Sequence, residues 1–186
     1  MRIVGGELRG RRLAMPPGDV RPTGDRQREA LFNVLTHKPP GSAGDAVTGA
    51  IVLDAFAGSG ALGLEALSRG AAHATFLEAD RRVAQALTAT LADLGVADRA
   101  TVLTGDAGRP PQAAQPCTLA FLDPPYRQGL AAPALMALAA RGWFAPDALI
   151  VVEQAADEEL AVSEGFREVD TRRTGDTLAR YLRWGG

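Results

Sequence analysis

One stretch constrains this chain more than any other: Ile51-Val-Leu-Asp-Ala-Phe56, followed by Ala57-Gly58-Ser-Gly60-Ala-Leu-Gly63. A short, nearly unbroken apolar run bounded by turn residues reads as a strand buried on both faces. The glycines then match a G-x-G-x-x-G turn in the context such a turn needs, after a strand and at the opening of a helix over residues 62–69. Glycine lets the first βα turn be tight and lets a ligand approach the backbone closely. Downstream, the same alternation continues. Strands are predicted at 74–78, 101–104, 119–122 and 149–153, with helices at 81–94 and about 131–141. Short apolar strands separated by helices predict an α/β fold, a parallel sheet covered on both faces. Two longer extended runs, 166–174 and 177–184, meet at Gly175-Asp176 and read as a hairpin, so the sheet is expected to end in antiparallel pairing.

The N-terminal part follows another pattern. Residues 2–13 (RIVGGELRGRRL) read as a short hairpin or extended arm, and 16–22 as turn-rich. Thr23 is placed to cap a helix reaching about Thr36, with Ala30, Leu31, Val34 and Leu35 on one face. Residues 38–48 form a loop rich in Pro, Gly and Ser. The chain therefore divides into a basic N-terminal extension, 1–44, and an α/β domain, 45–186.

Charge sharpens that division. Residues 1–44 carry eight basic and four acidic side chains, 45–165 seven and fifteen, and 166–186 five and three. A basic arm on an acidic body points to a polyanionic partner, although a solvated charged surface gives the same pattern. Cys117 is the only cysteine and His37 and His73 the only histidines, which excludes a disulfide framework and argues against a Cys/His zinc site. No apolar run has signal-peptide or membrane-spanning length, so a cytoplasmic protein without membrane partner is expected.

Two ligands suit the glycine turn. A dinucleotide would set its pyrophosphate on the helix N-terminus. S-adenosylmethionine (AdoMet) has no phosphate but carries an ammonium group. Asp54, four residues before Gly58, repels a pyrophosphate and attracts an ammonium, which favours AdoMet. Glu78, ending the second strand, is placed to bind ribose hydroxyls.

The second motif is Asp123-Pro124-Pro125-Tyr126, directly after the fourth strand. Open α/β sheets bind ligands beyond the carboxyl ends of their strands, so this loop is expected to face the glycine turn. It combines an acceptor carboxylate, two prolines of fixed φ and an aromatic ring. That set suits a planar base bearing an amino group. Asp123 and the Pro124 carbonyl would accept its N–H bonds, and Tyr126 would stack on it, a contact worth roughly 1–3 kcal/mol. The reaction expected is direct displacement by positioning, with no nucleophilic role for Cys117.

DAFAGSG with DPPY resembles the class I AdoMet-dependent amino-methyltransferases, with a Rossmann-like, mostly parallel seven-stranded sheet. RIVGGELRGRRL, RPTGDRQREALFNVL, DAFAGSGALGLEALSRGA, FLEAD, DPPY and GWFAPDALIVVE together resemble, in order and over nearly the whole chain, the bacterial RsmD family of 16S ribosomal RNA guanine-N2 methyltransferases. Gly24 is a small departure, where the family often has a larger residue, and should loosen the following helix cap. The resemblance implies that Asp54, Gly58 and Gly60 hold the methionyl part of AdoMet, Glu78 its ribose and Asp106 its adenine, with Phe56, Ala79 and Ala107 also at the cofactor. An ordinary helix cap is the alternative role for Asp106. Asn33 and Phe32 are implied near the cofactor, Phe32 equally as core. Asp123, Pro124, Pro125 and Tyr126 would hold the guanine. Arg9, Arg11, Arg12, Arg21, Thr23, Arg26 and Arg28 would face RNA, with Asp25 and Glu29 beside them at the rim. The implied partner is 16S rRNA or the small ribosomal subunit, the cofactor AdoMet, with no metal, on a monomer.

Three other readings remain open on the residues. DPPY also suits adenine or cytosine amines in DNA or RNA, and a related motif suits protein glutamine. The glycine turn alone suits an NAD(P)-dependent oxidoreductase, though no Tyr/Lys or His catalytic group stands out. A non-catalytic RNA-binding protein would need no intact Asp54, Glu78 and Asp123.

Overall fold

The computed structural model describes residues 1–13, 24–42 and 44–186. The expected turn at 16–22, with Arg21 and Thr23, lies outside the described residues. The elements are α1 (Asp25–His37), β1 (Ile51–Ala55), α2 (Ala61–Ser68), β2 (His73–Glu78), α3 (Arg81–Leu94), β3 (Ala100–Thr104), β4 (Cys117–Leu122), α4 (Ala131–Ala140), β5 (Phe144–Ala155), β6 (Phe166–Thr174) and β7 (Thr177–Trp184). The seven strands form one sheet in the order β3-β2-β1-β4-β5-β7-β6. Pairing is parallel from β3 through β5, whereas β7 runs antiparallel to both β5 and β6.

Local chemistry accounts for the main elements. Helix α3 is amphipathic, burying Val83, Leu87, Leu91 and Leu94 at helical spacing. Asp80 caps it by accepting from the Arg82 and Val83 amides at 2.7 and 3.2 Å. Helix α2 is buried along its whole length, Glu65 and Ser68 included. Two glycines let it lie close to the sheet. Gly60 has φ 75°, and a Cβ there would stand 2.5 Å from Leu87 Cδ1; a Cβ on Gly63 would stand 2.3 Å from the Phe76 ring. On one face of the sheet, α1, α2 and α3 cover a core that includes Phe32, Leu35, Val52, Phe76 and Phe121. On the other, α4 packs Leu135 and Leu138 against Leu53, Ala120 and Ile150. The final hairpin turns at Gly175, φ 60°, with Thr174 opposite Thr177.

Three expectations need correction. Strand β5 starts at Phe144 rather than 149: Phe144 pairs with Cys117, and a register shift plus a positive φ of 58° at Asp147 carry the strand past Pro146. The cap of α1 is Gly24, with no side-chain oxygen to offer; Gln27 Oε1 instead accepts from the Gly24 amide at 3.3 Å. The buried face of α1 is Arg28, Leu31, Phe32 and Leu35, while Ala30 is exposed.

The arm is tied to this body. The Arg2–Arg12 bridge is antiparallel, as a small hairpin requires. Ile3 and Leu13 are buried in the α2–α3 core. The Glu7 and Leu8 amides donate to the Ser68 carbonyl and Oγ at 2.7 and 2.9 Å. Gly6 passes so close, at φ 76°, that a Cβ would stand 1.8 Å from the Ser68 oxygen.

Candidate active site

The sheet order changes direction between β1 and β4, so their carboxyl ends flank an open crevice. Their register sets Asp54 beside Phe121 and Ala55 beside Leu122. One step further, the glycine turn and the Asp123-Pro124-Pro125-Tyr126 loop leave the sheet side by side. Phe56 begins the turn with φ 68°, a left-handed conformation costing a bulky residue about 1–3 kcal/mol. Its amide and that of Ala57 both donate to the Leu77 carbonyl at 3.1 Å, which holds the strained turn against β2.

Carboxylates line this crevice. Asp54 is 2% exposed, and its Oδ2 accepts from the Gly63 amide at 2.8 Å. Burial pushes its pKa up to about 8; the charges of Asp123 and Glu78 add to this, while the Gly63 amide opposes it. Glu78 accepts from the Gly58 amide at 2.7 Å and from the Asp80 amide at 2.8 Å. A carboxylate has further lone pairs for hydroxyl donors. Asp106 is exposed and accepts from the Gly108 amide at 2.8 Å; a turn follows it, so the helix-cap alternative fails. Ala107 is buried beside it.

The DPPY loop is clamped from β7 and from the segment that follows β5. Tyr126 Oη lies 3.2 Å from Thr177 Oγ1. Glu158 accepts from the Arg127 and Gly129 amides at 3.0 and 3.3 Å, and Arg127 pairs with Asp157 at 3.2 Å. Arg127 has φ 60°. Cys117 is buried with its thiol pushed up to about 12, a poor nucleophile.

Several implied residues fall elsewhere. Arg28 is fully buried, so it is no phosphate contact. Its guanidinium stands 3.5 Å from Glu65 and 2.9 Å from Asp25, and donates to the Arg2 carbonyl. Phe32 is core, its ring 5.5 Å from Phe121. Asn33 lies with Arg26 and Glu29 on the exposed side of α1, opposite the buried face. Arg9 and Arg26, by contrast, share a surface cleft with Arg2, Asp25 and Glu29. Arg11 and Arg12 are exposed; Arg11 donates to the Asp93 carbonyl at 3.0 Å.

Two features were missed from sequence. Glu65, fully buried in α2, pairs with Arg28 and with Arg69 at 2.8 Å and accepts the Val4 amide at 2.9 Å. A lone acid inside the apolar run LGLEALS was the available signal. Glu153 is 6% exposed in β5, and burial first, then the charge of Asp123, raise it to about 8, with Arg28 opposing. The signal there was a carboxylate closing the run LIVVE.

Among the described residues, no helix is long and apolar enough to cross a membrane, and no three metal-ligating side chains are grouped to hold an ion. The family model described as conserved hypothetical protein 95 matches residues 1–183. Ribosomal RNA small subunit methyltransferase D of Escherichia coli is 44% identical over 162 residues, covering 86% of this chain and 77% of that protein. The protein of that name from Haemophilus influenzae is 38% identical over 180 residues, covering 94% and 89%. The solved structure of yhhF from Escherichia coli superposes with a TM-score of 0.84 at 40% identity, covering 100% of this chain and 98% of that one. The chain belongs to this family, the RsmD methyltransferases.

Proposed function

We propose that the protein transfers a methyl group from AdoMet to the exocyclic N2 amine of a guanine in 16S rRNA of the small ribosomal subunit. The observation that carries this reading is the β1–β4 pairing, which puts the DPPY loop beside the glycine turn at the switch point of the sheet. Curated members of the family carry the name ribosomal RNA small subunit methyltransferase D, which supports the RNA substrate class.

The residues present fit AdoMet. Asp54 is buried and, among the described residues, has no cationic partner; burial first, and the charges of Asp123 and Glu78 after it, raise its pKa. A pyrophosphate beside Asp54, Glu78 and Asp123 would be repelled, which counts against the NAD(P) reading. Asp54, Phe56, Gly58 and Gly60 would hold the methionyl part, Glu78 and Ala79 the ribose, and Asp106 and Ala107 the adenine. The cofactor, when bound, supplies an electrophilic methyl on a sulfonium.

The chain's own residues then do the positioning. Asp123 and the Pro124 carbonyl accept the N–H bonds of guanine N2, turning its lone pair toward the methyl carbon. Pro124 and Pro125 fix the loop, and Tyr126, tethered to Thr177, supplies a stacking face. Bound AdoMet would supply the methyl carbon to N2 and keep the electron pair of the broken C–S bond on its sulfur. Asp123 accepts the proton that leaves N2. The target base must be splayed out of its stack to reach this loop. Arg9, Arg11, Arg12 and Arg26 contact RNA phosphates, and Arg21 and Thr23 belong with them. Residues 1–44 are read as an extension of the methyltransferase domain, which acts as a cytoplasmic monomer.

Thermal shift separates the cofactors directly. AdoMet or S-adenosylhomocysteine at about 100 times Kd should stabilise the fold by about 2.7 kcal/mol. NAD should leave the melting temperature unchanged. Stabilisation by NAD alone would move the chain to the oxidoreductases.

A further inference from the structure

A cleft of about 120 Å³ opens between α1 and the C-terminal hairpin, lined by Gln27, Leu31, Glu153, Arg172, Thr177 and Tyr181 among others. It adjoins the DPPY loop through the Tyr126–Thr177 contact. It is smaller than the roughly 300–1,000 Å³ of sites that enclose a whole drug-sized ligand, and suits one ring system. Glu153 lies in its wall, more than nine-tenths buried. Among the described residues its carboxyl accepts no hydrogen bond. The charged or titratable groups facing it are Asp123, Asp54, Arg28 and Tyr181; Arg172 lines the same cleft but pairs with Asp170 at 2.8 Å. Glu65, buried as deeply, has two guanidiniums and an amide. Glu153 has no such neutralising set. Its carboxyl oxygens are not sealed in the core but open to the cleft, where the donors of a ligand can reach them.

We infer that Glu153 is a specificity-determining residue that accepts the ring N1–H of the target guanine, while Asp123 accepts from its N2. This rests on the guanine-N2 reaction proposed above. Guanine alone among the four bases carries a ring N–H donor next to an amino group. Adenine and cytosine set a lone pair beside their amines, against which an acceptor oxygen at Glu153 would be repulsive. Uracil has a ring N–H but no amine for Asp123. Two carboxyl groups, one from β5 and one from the DPPY loop, thus read the two adjacent donors that distinguish guanine.

The test replaces the target guanine by 2-aminopurine, which keeps the 2-amino group but presents a lone pair at N1. Single-turnover methyl transfer is compared on both substrates for the unaltered enzyme, Glu153→Gln and Glu153→Leu. Working near pH 8 leaves Glu153, raised to about 8 by burial, partly ionised while guanine still holds its N1 proton. The unaltered enzyme should prefer guanine by about tenfold to a hundredfold, the discrimination a good base-edge contact provides. Both variants should lower that ratio at least about tenfold: Gln can turn a donor toward N1 of 2-aminopurine, and Leu reads neither edge. AdoMet affinity and a cooperative melt confirm the fold in each. An equal loss of rate on both substrates, with the ratio intact in Glu153→Gln, makes Glu153 merely structural and overturns the inference. If the unaltered enzyme makes no N2-methylguanosine at all, the underlying function fails first, and this inference with it.

Discussion

Two regions of this molecule bury carboxylates, and they do so in opposite ways. At the junction of the arm, α1 and α2, Glu65 sits between Arg28 and Arg69 and accepts the Val4 amide. At the carboxyl ends of β1 and β5, Asp54 and Glu153 are nearly as buried, but their neighbours are mostly other carboxylates, and both are raised to about 8. The first arrangement is complete in itself and ties three chain segments together. The second is short of positive charge and donors, the two things a sulfonium cofactor and a guanine bring. The same residue type is thus structural where the protein neutralises it and functional where the protein leaves that to its ligands.

The sharpest way to break this contrast is at the loop that carries the chemistry. Asp123→Ala should lower single-turnover methyl transfer by about a hundredfold to a thousandfold, the scale of losing a preorganised electrostatic contact. AdoMet binding by calorimetry should change little. Near-normal turnover would remove Asp123 from the mechanism.

Glu65→Ala should act on stability instead. Removing the carboxylate takes a buried partner from Arg69 and from Arg28, which keeps Asp25, and should cost about 3–5 kcal/mol in urea unfolding. Asp54→Asn should leave stability unchanged or raised, and weaken AdoMet about tenfold to a hundredfold, as removal of a charged hydrogen bond would. If the two substitutions had equal effects on stability, the contrast between the regions would be wrong.

The pH dependence has a definite sign. Asp54 and Glu153 have ordinary values of 3.8 and 4.5 and folded values of about 8. The folded state therefore holds protons that the unfolded chain releases between about pH 4 and 8. Their contribution to stability is full below that window and is lost as pH rises through it. Unfolding free energy of the ligand-free protein should decline across this range, and Asp54→Asn with Glu153→Gln should flatten the decline.

The smallest effect is on the surface. Changing Arg9, Arg11 and Arg12 together to Ala should weaken RNA binding and reduce its salt slope by about one for each phosphate no longer neutralised. AdoMet affinity should hold. An unaltered slope would take the arm off the RNA.

How much of this was legible beforehand follows from what sets each feature. The strands and α3 were readable because their apolar period and caps are local: Asp80 and Gly95 bound α3 at the residues where the pattern begins and stops. The hairpin was readable from Gly175-Asp176 and the glycine turn from its spacing, as was the meeting of β1 and β4 from the parallel alternation. Arg28 was not. Its burial depends on Glu65, 37 residues away, and on the arm folding over both. A charged residue in a helix next to other charges reads as surface until its partner is known. The exposure of Asn33 was readable, since the helix period already opposed it to Leu31 and Leu35. Glu153 needed the strand order, which places β7 rather than β6 beside β5 and closes the cleft around it. The long start of β5 was hidden by Pro146 and Asp147, which look like a turn but fit a strand through a register shift and a positive φ.

The central claim is the reaction itself. It is tested by methyl transfer from labelled AdoMet to small ribosomal subunits, and to naked 16S rRNA, from cells lacking this protein, followed by nucleoside analysis. Label is expected in N2-methylguanosine and should disappear with Asp123→Ala. Confirmed AdoMet binding with no label in RNA would contradict the claim and move the acceptor to DNA or protein.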